Sequence, residues 1–265
     1  PYIVRNELGD WESNLPLAEN QFNDGGDSMS CVTFAELSGI ETQEEMLTGI
    51  ESNYSDRWIS KMANTSREGA YLWQVADAIR KYGLVKESSY PVPTGAWNWD
   101  EWHKEILEPL KGQLLLEGRA WLEKWDVKYE SIDFNKDSLM KHLKMAPLTV
   151  ILPGHAVLNF RTKEDIIHYF DTYPPHHKTT PSVIQAMKVM LYPKDKTVPD
   201  KDLLVNIKFG DSGRQVEKLI DALVANGWND CKDWSPIYDQ RLADYVFRFQ
   251  LANLPRNTWP FWWAF

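Results

Sequence analysis

Apolar residues recur at helical spacing in two stretches of the first part of the chain. The first stretch begins at Cys31 and continues to about Met46, with its apolar side chains tending toward one face. The second, EGAYLWQVADAIRKYGLV, has the clearest stripe in the chain, formed by Leu72, Val75, Ala76, Ile79 and Tyr82. Gly83 follows the stripe directly. Since glycine commonly ends helices, the pattern predicts a helix that stops there.

Later stretches combine further helices with strands. Residues 101–124 and 136–144 are predicted as helices, and WDVKYESID is predicted as a strand. The run APLTVILPGHAVLNF is predicted as a strand, and after the turn RTKED the segment IIHYFDTY returns beside it. His155 and Asp171 therefore lie on one predicted hairpin. Because helices come first and strands later, the order favours an α+β fold over alternating βαβ units.

Composition along the chain predicts two domains. Residues 1–30 are rich in Asn, Asp, Gly and Pro, which indicates irregular chain wrapping a surface. The segment YPKDKTVPDKD is charged and is interrupted twice by proline, which is typical of a linker. We therefore predict a first domain over residues 1–192, a linker over 193–202 and a second domain over 203–265.

Charge and cysteine content exclude several classes of protein. The formal net charge is −9 and the basic residues are dispersed, which argues against a nucleic-acid or anionic-membrane partner. No apolar run is long enough to predict a membrane span. With only two cysteines, 200 residues apart, no disulfide framework is predicted, and a single bridge stays open as an alternative. The chain begins at Pro1 without a signal segment, so we expect either a removed leader or a piece of a longer product.

Cys31 could be either a buried thiol or a nucleophile. A thiol becomes a strong nucleophile when a helix N-terminus or an imidazolium stabilises its thiolate. Cys31 stands at a predicted helix start, behind the glycine-rich turn GGDSMS. His155 opens an apolar strand where a polar ring has no packing role, and Asp171 ends the returning strand and could orient that ring. On spacing alone, a buried cysteine and a hydrogen-bonded histidine are the favoured interpretation, and a catalytic pair is the alternative.

The order of these residues and their surroundings resembles the papain-like cysteine peptidase family. The matching features, in chain order, are NQF (20–22), Cys31 followed by TFA (33–35), Gly69, YG (82–83), YP (90–91) and HAV (155–157). The separation of His155 from Asp171 also suits the hairpin of that family. The resemblance covers roughly residues 1–192 and implies a two-lobed α+β fold, with a helical lobe and a β-rich lobe.

The resemblance implies a role for each matching residue of the catalytic centre. Cys31 would attack the scissile carbonyl, His155 would hold and then deliver the proton, and Asp171 would orient the imidazole. Gln21, or as a weaker alternative Asn23, would complete an oxyanion hole with the backbone N–H of Cys31.

The resemblance also implies a substrate-binding segment. Gly69 would let the substrate backbone pair closely beside the cleft, and Ala70 and Tyr71 would lie near the side-chain pocket. The expected substrate is then a peptide or protein. The sequence contains no phosphate-binding glycine loop and no zinc-binding cysteine set, so neither a cofactor nor a metal is expected.

Three departures from the family pattern weaken parts of this interpretation. Gln21 lies ten residues before Cys31, because NDGGD is inserted between them, and this spacing predicts a displaced glutamine. Asp171 replaces the expected asparagine, and a carboxylate there would raise the basicity of the histidine. The segment TYPP (172–175) replaces the tryptophan that usually shields the hydrogen bond. The family's disulfides are also absent, which favours a bacterial or viral branch.

Several other features have simpler interpretations. The histidines of PPHH (174–177) are predicted to be a loop pair rather than a metal site, because adjacent side chains point apart on an extended chain. His103, His142 and His168 are predicted to be ordinary helix-surface or strand residues. The segment TGAWNWDEW (94–102) is predicted to clamp the core, with the lining of a substrate groove as the alternative.

The second predicted domain has its own pattern of turns and helices. Gly210, Asp211 and Gly213 predict a turn that caps a helix. The apolar faces of two helices are predicted at Val216, Leu219, Ile220 and Leu223 and at Leu242, Tyr245, Val246 and Phe249. Between these helices, Cys231 is predicted to be a packing residue.

This pattern resembles the small three-helix peptidoglycan-binding module. The matching features are GDSG followed by spaced apolar residues and GW, a loop with Tyr238 and Asp239, and VFRFQ, over about 204–254. The usual closing segment of the module is not recognisable in PRNTWPFWWAF. The resemblance implies binding to bacterial cell-wall material.

Three functions are compatible with the sequence. The leading hypothesis is a papain-like cysteine endopeptidase tethered to the cell wall, from a bacterium or bacteriophage and located outside the cell, on its surface or on a virion. The second keeps the same site but acts on the peptide cross-links of peptidoglycan, as a lysin. The third is a catalytically inactive fold used as a structural or adhesive surface protein, favoured by the inserted residues after Gln21 and by the altered DTY segment.

Overall fold

The computed structural model describes residues 4–194 and, in the C-terminal part, 216, 219–220, 223–224, 229–232, 234–235 and 237–253, with the backbone alone for 229 and 247–253. The chain divides into two compact units, Pro1–Lys194 and Asp195–Phe265. Each unit is described by itself. The first contains helices and an antiparallel sheet, which confirms the predicted α+β class.

The helices of the first unit precede most of its strands. They are α1 (Cys31–Thr48), α2 (Asp56–Met62), α3 (Leu72–Tyr82), α4 (Trp99–Trp102), α5 (Leu110–Leu122) and α6 (Lys136–Leu143). The predicted helix start at Cys31 and the predicted stop at Gly83 are both confirmed. The stripe of α3 is buried as expected at Leu72, Val75, Ala76 and Ile79.

The prediction of one helix over residues 101–124 is wrong. The chain there forms the short helix α4 and the longer helix α5, with irregular backbone between them. Pro109 lies directly before the first residue of α5. Proline lacks an N–H and restricts the residue before it, so it cannot lie inside a continuous helix without breaking it.

Six strands form one antiparallel sheet in the order β3-β8-β4-β5-β6-β7. Their bounds are β3 (Trp125–Ile132), β4 (Leu148–Leu152), β5 (His155–Lys163), β6 (Ile166–Phe170), β7 (His177–Thr180) and β8 (Gln185–Pro193). The apolar run predicted as one strand is two strands, because the chain reverses at Gly154, where φ is +75°. The predicted hairpin of β5 and β6 is confirmed.

Helix α1 connects the helical part of the first unit to this sheet. It packs against β5, β8 and β4 and is buried on nearly all sides from Val32 to Glu44. The amide of Gln43 donates to the carbonyl of Val189 (3.0 Å) and accepts from the N–H of Leu191 (3.0 Å), so the helix is bonded to β8. A Cβ at Gly39 would lie 3.1 Å from Leu158, which shows how closely α1 approaches β5.

The segment before α1 is mostly irregular, as predicted. It contains a 3-10 turn at Glu12–Asn14 and a short hairpin of β1 (Phe22–Asn23) with β2 (Gly26–Asp27). Trp11 is fully buried, and its indole N–H donates to the carbonyl of Leu143 (2.7 Å). The segment therefore wraps over the β-rich part of the unit.

The described part of the second unit has one apolar core. Its buried members are Val216, Leu219, Ile220, Leu223, Cys231, Leu242 and Val246. The last two belong to α7 (Gln240–Asn253), so the predicted apolar faces and the packing role of Cys231 are confirmed, except for Phe249, whose side chain is not described. Residues 195–202 of the predicted linker, the turn at 210–213 and the segment 255–265 lie outside the described residues. Within the described part of the chain, no helix has the length and hydropathy needed to cross a membrane.

Candidate active site

Cys31 is the first residue of α1. Ser30 precedes it as the N-cap, and the carbonyl of Ser30 accepts the helical bond from the N–H of Phe34 (3.1 Å). The thiol is partly buried. The unbonded N–H groups and the dipole of an 18-residue helix place partial positive charge at this end, beside the Cys31 sulfur.

The structure brings His155 and Asp171 to the same place. His155 is the first residue of β5, and Asp171 follows the last residue of β6. The Nε2–H of His155 donates to Oδ1 of Asp171 over 2.8 Å. The ring also interacts with Cys31, and because Nε2 is already bonded, Nδ1 is the ring nitrogen available to the thiol. The imidazole therefore lies between a thiol and a carboxylate.

The environment of this trio favours a charged imidazole. Burial alone lowers the pKa of His155, but the hydrogen bonds and charges of Asp171 and Cys31 raise it to about 9. Burial would raise the pKa of Asp171, yet bonds from His155, Lys178 and the N–H of Tyr173 lower it overall. At neutral pH the pair is accordingly an imidazolium beside a buried carboxylate.

The residues inserted before Cys31 form the β1–β2 hairpin. The N–H of Ser28, just after the hairpin, donates to the carbonyl of Gln21, just before it, over 2.9 Å. The hairpin thus projects from the path of the chain, and Gln21 lies beside Ser28 rather than far from it. The long spacing between Gln21 and Cys31 does not produce an equal displacement in space.

The amide of Gln21 is fully bonded within the protein. Its NH₂ group donates to Oδ1 of Asp27 and to the hydroxyl of Tyr173, both over 3.0 Å. Its carbonyl oxygen accepts from the hydroxyl of Thr172 over 2.7 Å. The alternative oxyanion donor, Asn23, donates its amide to the carbonyl of Gly95 over 3.1 Å. Both amide hydrogens of Gln21 are therefore bonded within the protein in this state.

Tyr173 is a site residue that the sequence did not reveal. Its ring meets the His155 ring edge-on, with centroids 5.1 Å apart, and stacks on Phe22 at 4.8 Å. Its hydroxyl donates to the carboxylate of Asp27, and burial together with Asp27 raises the pKa of Tyr173, which keeps the hydroxyl protonated. An aromatic ring therefore covers the histidine even though the family's tryptophan is missing. The DTY motif was the available signal.

The predicted substrate segment lies close to the cysteine. Gly69 has φ of +91°, and a Cβ there would be 3.6 Å from the carbonyl oxygen of Met29, two residues before Cys31. Ala70 packs on the same apolar core as Cys31. Tyr71 is 72% exposed and stacks on Trp73, also exposed, at 6.1 Å. Whether these residues bind substrate stays a prediction.

The remaining aromatic and histidine predictions have mixed outcomes. Trp97 and Trp102 are buried against Phe34, which confirms the core interpretation of the TGAWNWDEW segment. The prediction that His103 is a surface residue is wrong, because it is buried and its Nε2 bonds the carbonyl of Ser28 (3.0 Å) in the loop before Cys31.

The PPHH pair has separate partners. Nδ1 of His176 bonds the carbonyl of Asp171 (2.7 Å), whereas His177 begins β7 and packs on aromatic rings. Among the described residues, no group of three His, Cys, Asp or Glu side chains could hold a metal ion.

Among comparisons with known proteins, the one with solved structures bears on the fold of the first unit. No protein-family model and no curated protein sequence matches the chain. Among solved structures, Xylellain, a cysteine protease from Xylella fastidiosa, matches with a TM-score of 0.50 and 15% identity over 72% of this chain and 86% of its own. The Carica candamarcensis protease CMS1MS2 matches at 0.49 and 13% over 72% and 98%. The bromelain protease of Ananas comosus matches at 0.48 and 14% over 73% and 98%. The first unit has the papain-like two-lobed fold.

Proposed function

We propose that the chain is a cysteine peptidase that hydrolyses internal peptide bonds with Cys31, His155 and Asp171. The observation that carries this proposal is the position of the His155 ring, bonded to a buried carboxylate on one side and facing a thiol at a helix start on the other. A histidine with only a structural role would not need the thiol at its second nitrogen.

The chemistry follows from this order of groups. The Cys31 thiolate attacks the scissile carbonyl, and the His155 imidazolium donates its proton to the departing amine, which leaves an acyl-enzyme. His155 then accepts a proton from water, which attacks the thioester and releases the acid. Asp171 holds the ring in place through the 2.8 Å bond at Nε2.

The oxyanion donors proposed are the backbone N–H of Cys31 and the amide of Gln21. Because both amide hydrogens of Gln21 are bonded to Asp27 and Tyr173, one of these bonds must be exchanged for the substrate oxyanion. The substrate backbone is proposed to pair at Gly69, with Ala70 and Tyr71 beside its side chain, because Gly69 lies against the loop that carries Cys31.

The full bonding of Gln21 also favours a second candidate. A catalytically inactive surface protein with this fold would have no need for a free oxyanion donor. A single hydrolysis assay distinguishes the peptidase from the inactive surface protein.

Hydrolysis of a fluorescently labelled casein tests the proposal. We expect the full chain to cleave it, Cys31→Ala to abolish cleavage, and Cys231→Ala, in the core of the second unit, to keep it. Equal cleavage by the Cys31→Ala variant would contradict the assignment. No cleavage by any of the three would favour the inactive surface protein.

We further propose that the second unit tethers the peptidase to bacterial peptidoglycan, at the cell surface or on a virion. The support is its resemblance to the three-helix module and the apolar core that its described residues share. The full chain carrying Cys31→Ala should sediment with insoluble peptidoglycan, and a chain ending at Lys194 should not. If both remain in the supernatant at low salt, the tethering proposal is wrong. Cleavage of the peptide cross-links of peptidoglycan by the active chain would instead identify a lysin.

A further inference from the structure

The carboxylate of Asp171 divides its two oxygens between different partners. Oδ1 accepts from Nε2 of His155 (2.8 Å) and from the N–H of Tyr173 (3.0 Å). Oδ2 accepts from the ammonium of Lys178 over 2.8 Å. The Asp171 side chain is only 4% exposed, so water contributes little to its solvation. The lysine is therefore a main source of charge compensation for this carboxylate.

The fold fixes the position of Lys178. It lies in β7, directly opposite Tyr169 of β6, and Asp171 follows the end of that strand. The loop between them is closed by the N–H of Asp171 bonding the carbonyl of His176 over 2.8 Å. Sheet register and a closed loop thus hold the ammonium beside the carboxylate, and a chance surface pairing would lack both supports.

We propose that Lys178 is a positioning residue for His155 and partly offsets the negative charge that Asp171 presents to the imidazole. An unbalanced buried carboxylate would bind the imidazolium too strongly and hinder its proton transfer. With the lysine in place, Oδ1 of Asp171 still accepts the bond from Nε2 of His155 that orients the ring, while the net charge of the Asp171–Lys178 pair is zero. This inference rests on the proposed function.

Other titratable groups face His155, Asp171 and Lys178 from neighbouring elements. They are Cys31 at the start of α1, Asp27 at the end of β2 through the Tyr173 hydroxyl, Tyr169 in β6, and Tyr173 and His176 in the loop after β6. Among the described residues, Lys178 and His155 are the cationic side chains within ion-pair distance of Asp171. Removal of the Lys178 charge should therefore raise the proton affinity of His155, and removal of the Asp171 charge should lower it.

A charge cycle tests the inference. The profiles to measure are kcat/KM for casein-derived peptide and the rate of Cys31 alkylation by iodoacetamide, each against pH, with folding checked by thermal unfolding. Lys178→Met should move both profiles to higher pH by about one unit, and Asp171→Asn should move them to lower pH by a similar amount. The double variant removes one charge of each sign and should return close to the original profile.

Two further variants serve as controls. Lys178→Arg keeps the charge and should behave like the original chain, whereas Lys163→Met removes an exposed lysine of the same sheet and should change nothing. If the enzyme is active and the pH profiles of Lys178→Met superpose on those of Lys163→Met, the inference about Lys178 is wrong, but the proposed function stands. An original chain with neither hydrolysis nor alkylation of Cys31 at acid pH would overturn the proposed function and this inference together.

Discussion

The two sides of Cys31 differ in where their hydrogen bonds point. On the base side, Asp171 bonds His155, and the ring faces the thiol. On the oxyanion side, the amide of Gln21 is bonded to Asp27 and Tyr173 instead of pointing an unbonded hydrogen at a substrate. The base is thus organised before substrate arrives, whereas the oxyanion donor must exchange a bond.

The short segment after β6 joins the two sides. Asp171 orients the base, and the hydroxyl of Thr172 donates to the side-chain carbonyl oxygen of Gln21. Tyr173 contacts both the His155 ring and the Gln21 amide. Changes in this segment should therefore affect base and oxyanion donor together. Substitutions on one side alone should separate their contributions.

Loss of the base should have the largest effect. His155→Ala removes the group that stabilises the thiolate and protonates the leaving amine, so kcat/KM should fall by about 10⁴-fold. His177→Ala, an exposed histidine of β7, is the matched control and should keep full activity. Peptide hydrolysis followed at pH 7 measures both. A fall of less than tenfold for His155→Ala would remove the histidine from the mechanism.

Loss of the oxyanion donor should be smaller and confined to turnover. Gln21→Ala should lower kcat by about 10²-fold with little change in KM, because the donor acts on charge that develops in the transition state. Asn23→Ala should have no comparable effect, since its amide bonds Gly95. Steady-state kinetics on the same peptide separate the two parameters. A larger loss for Asn23→Ala would exchange the roles of the two residues.

The base side should also contribute to stability in a defined pH range. The pKa of His155 is about 9 in the folded protein and lies above its ordinary value, so its contribution is complete below pH of about 6.5 and is lost as pH rises toward 9. The pKa of Asp171 is lowered, so its contribution is lost in acid instead. The free energy of unfolding of the original chain should exceed that of His155→Gln by about 2 kcal/mol near pH 6, because solvent at the partly exposed ring screens part of the interaction. The difference should fall to almost nothing at pH 10. A constant difference in denaturant titrations across this range would contradict the charged pair.

The smallest effect is expected at the junction of the two sides. Tyr173→Phe keeps the ring beside His155 and Phe22 but removes an acceptor that competes for the Gln21 amide. Since a hydrogen bond contributes about 1 kcal/mol net, kcat/KM should rise by about fivefold. Tyr173→Ala, which also removes the ring, should lower it. A tenfold fall for Tyr173→Phe would show instead that the hydroxyl holds Gln21 in its working position.

Local patterns were sufficient to predict the elements that carry the base. The α3 stripe, the helix start at Cys31 and the β5–β6 hairpin depend on periodicity and turn residues close in sequence. A polar ring at the start of an apolar strand singled out His155. The prediction of one helix over residues 101–124 was wrong, because Pro109 interrupts the helix in spite of the helical spacing of apolar residues. The elements α2, β7 and β8 were not predicted.

Residues whose positions depend on long-range pairing could not be predicted. Lys178 reaches Asp171 only because of the register of β7 on β6, and Tyr173 reaches Gln21 only because the β1–β2 hairpin projects from the chain path. His103 is buried because the loop before Cys31 covers it. None of these contacts leaves a periodic signal in the sequence.

The reactivity of Cys31 tests the central claim most directly. Limiting iodoacetamide at pH 5–6, followed by peptide mass spectrometry, should alkylate Cys31 rapidly in the original chain. Alkylation should be at least tenfold slower in His155→Ala, because that variant lacks the imidazolium beside the thiolate. Cys231, buried in the second unit, provides an internal reference in each sample. Alkylation of Cys31 that is equal in the two chains, or that begins only near pH 8, would contradict a Cys31–His155 pair.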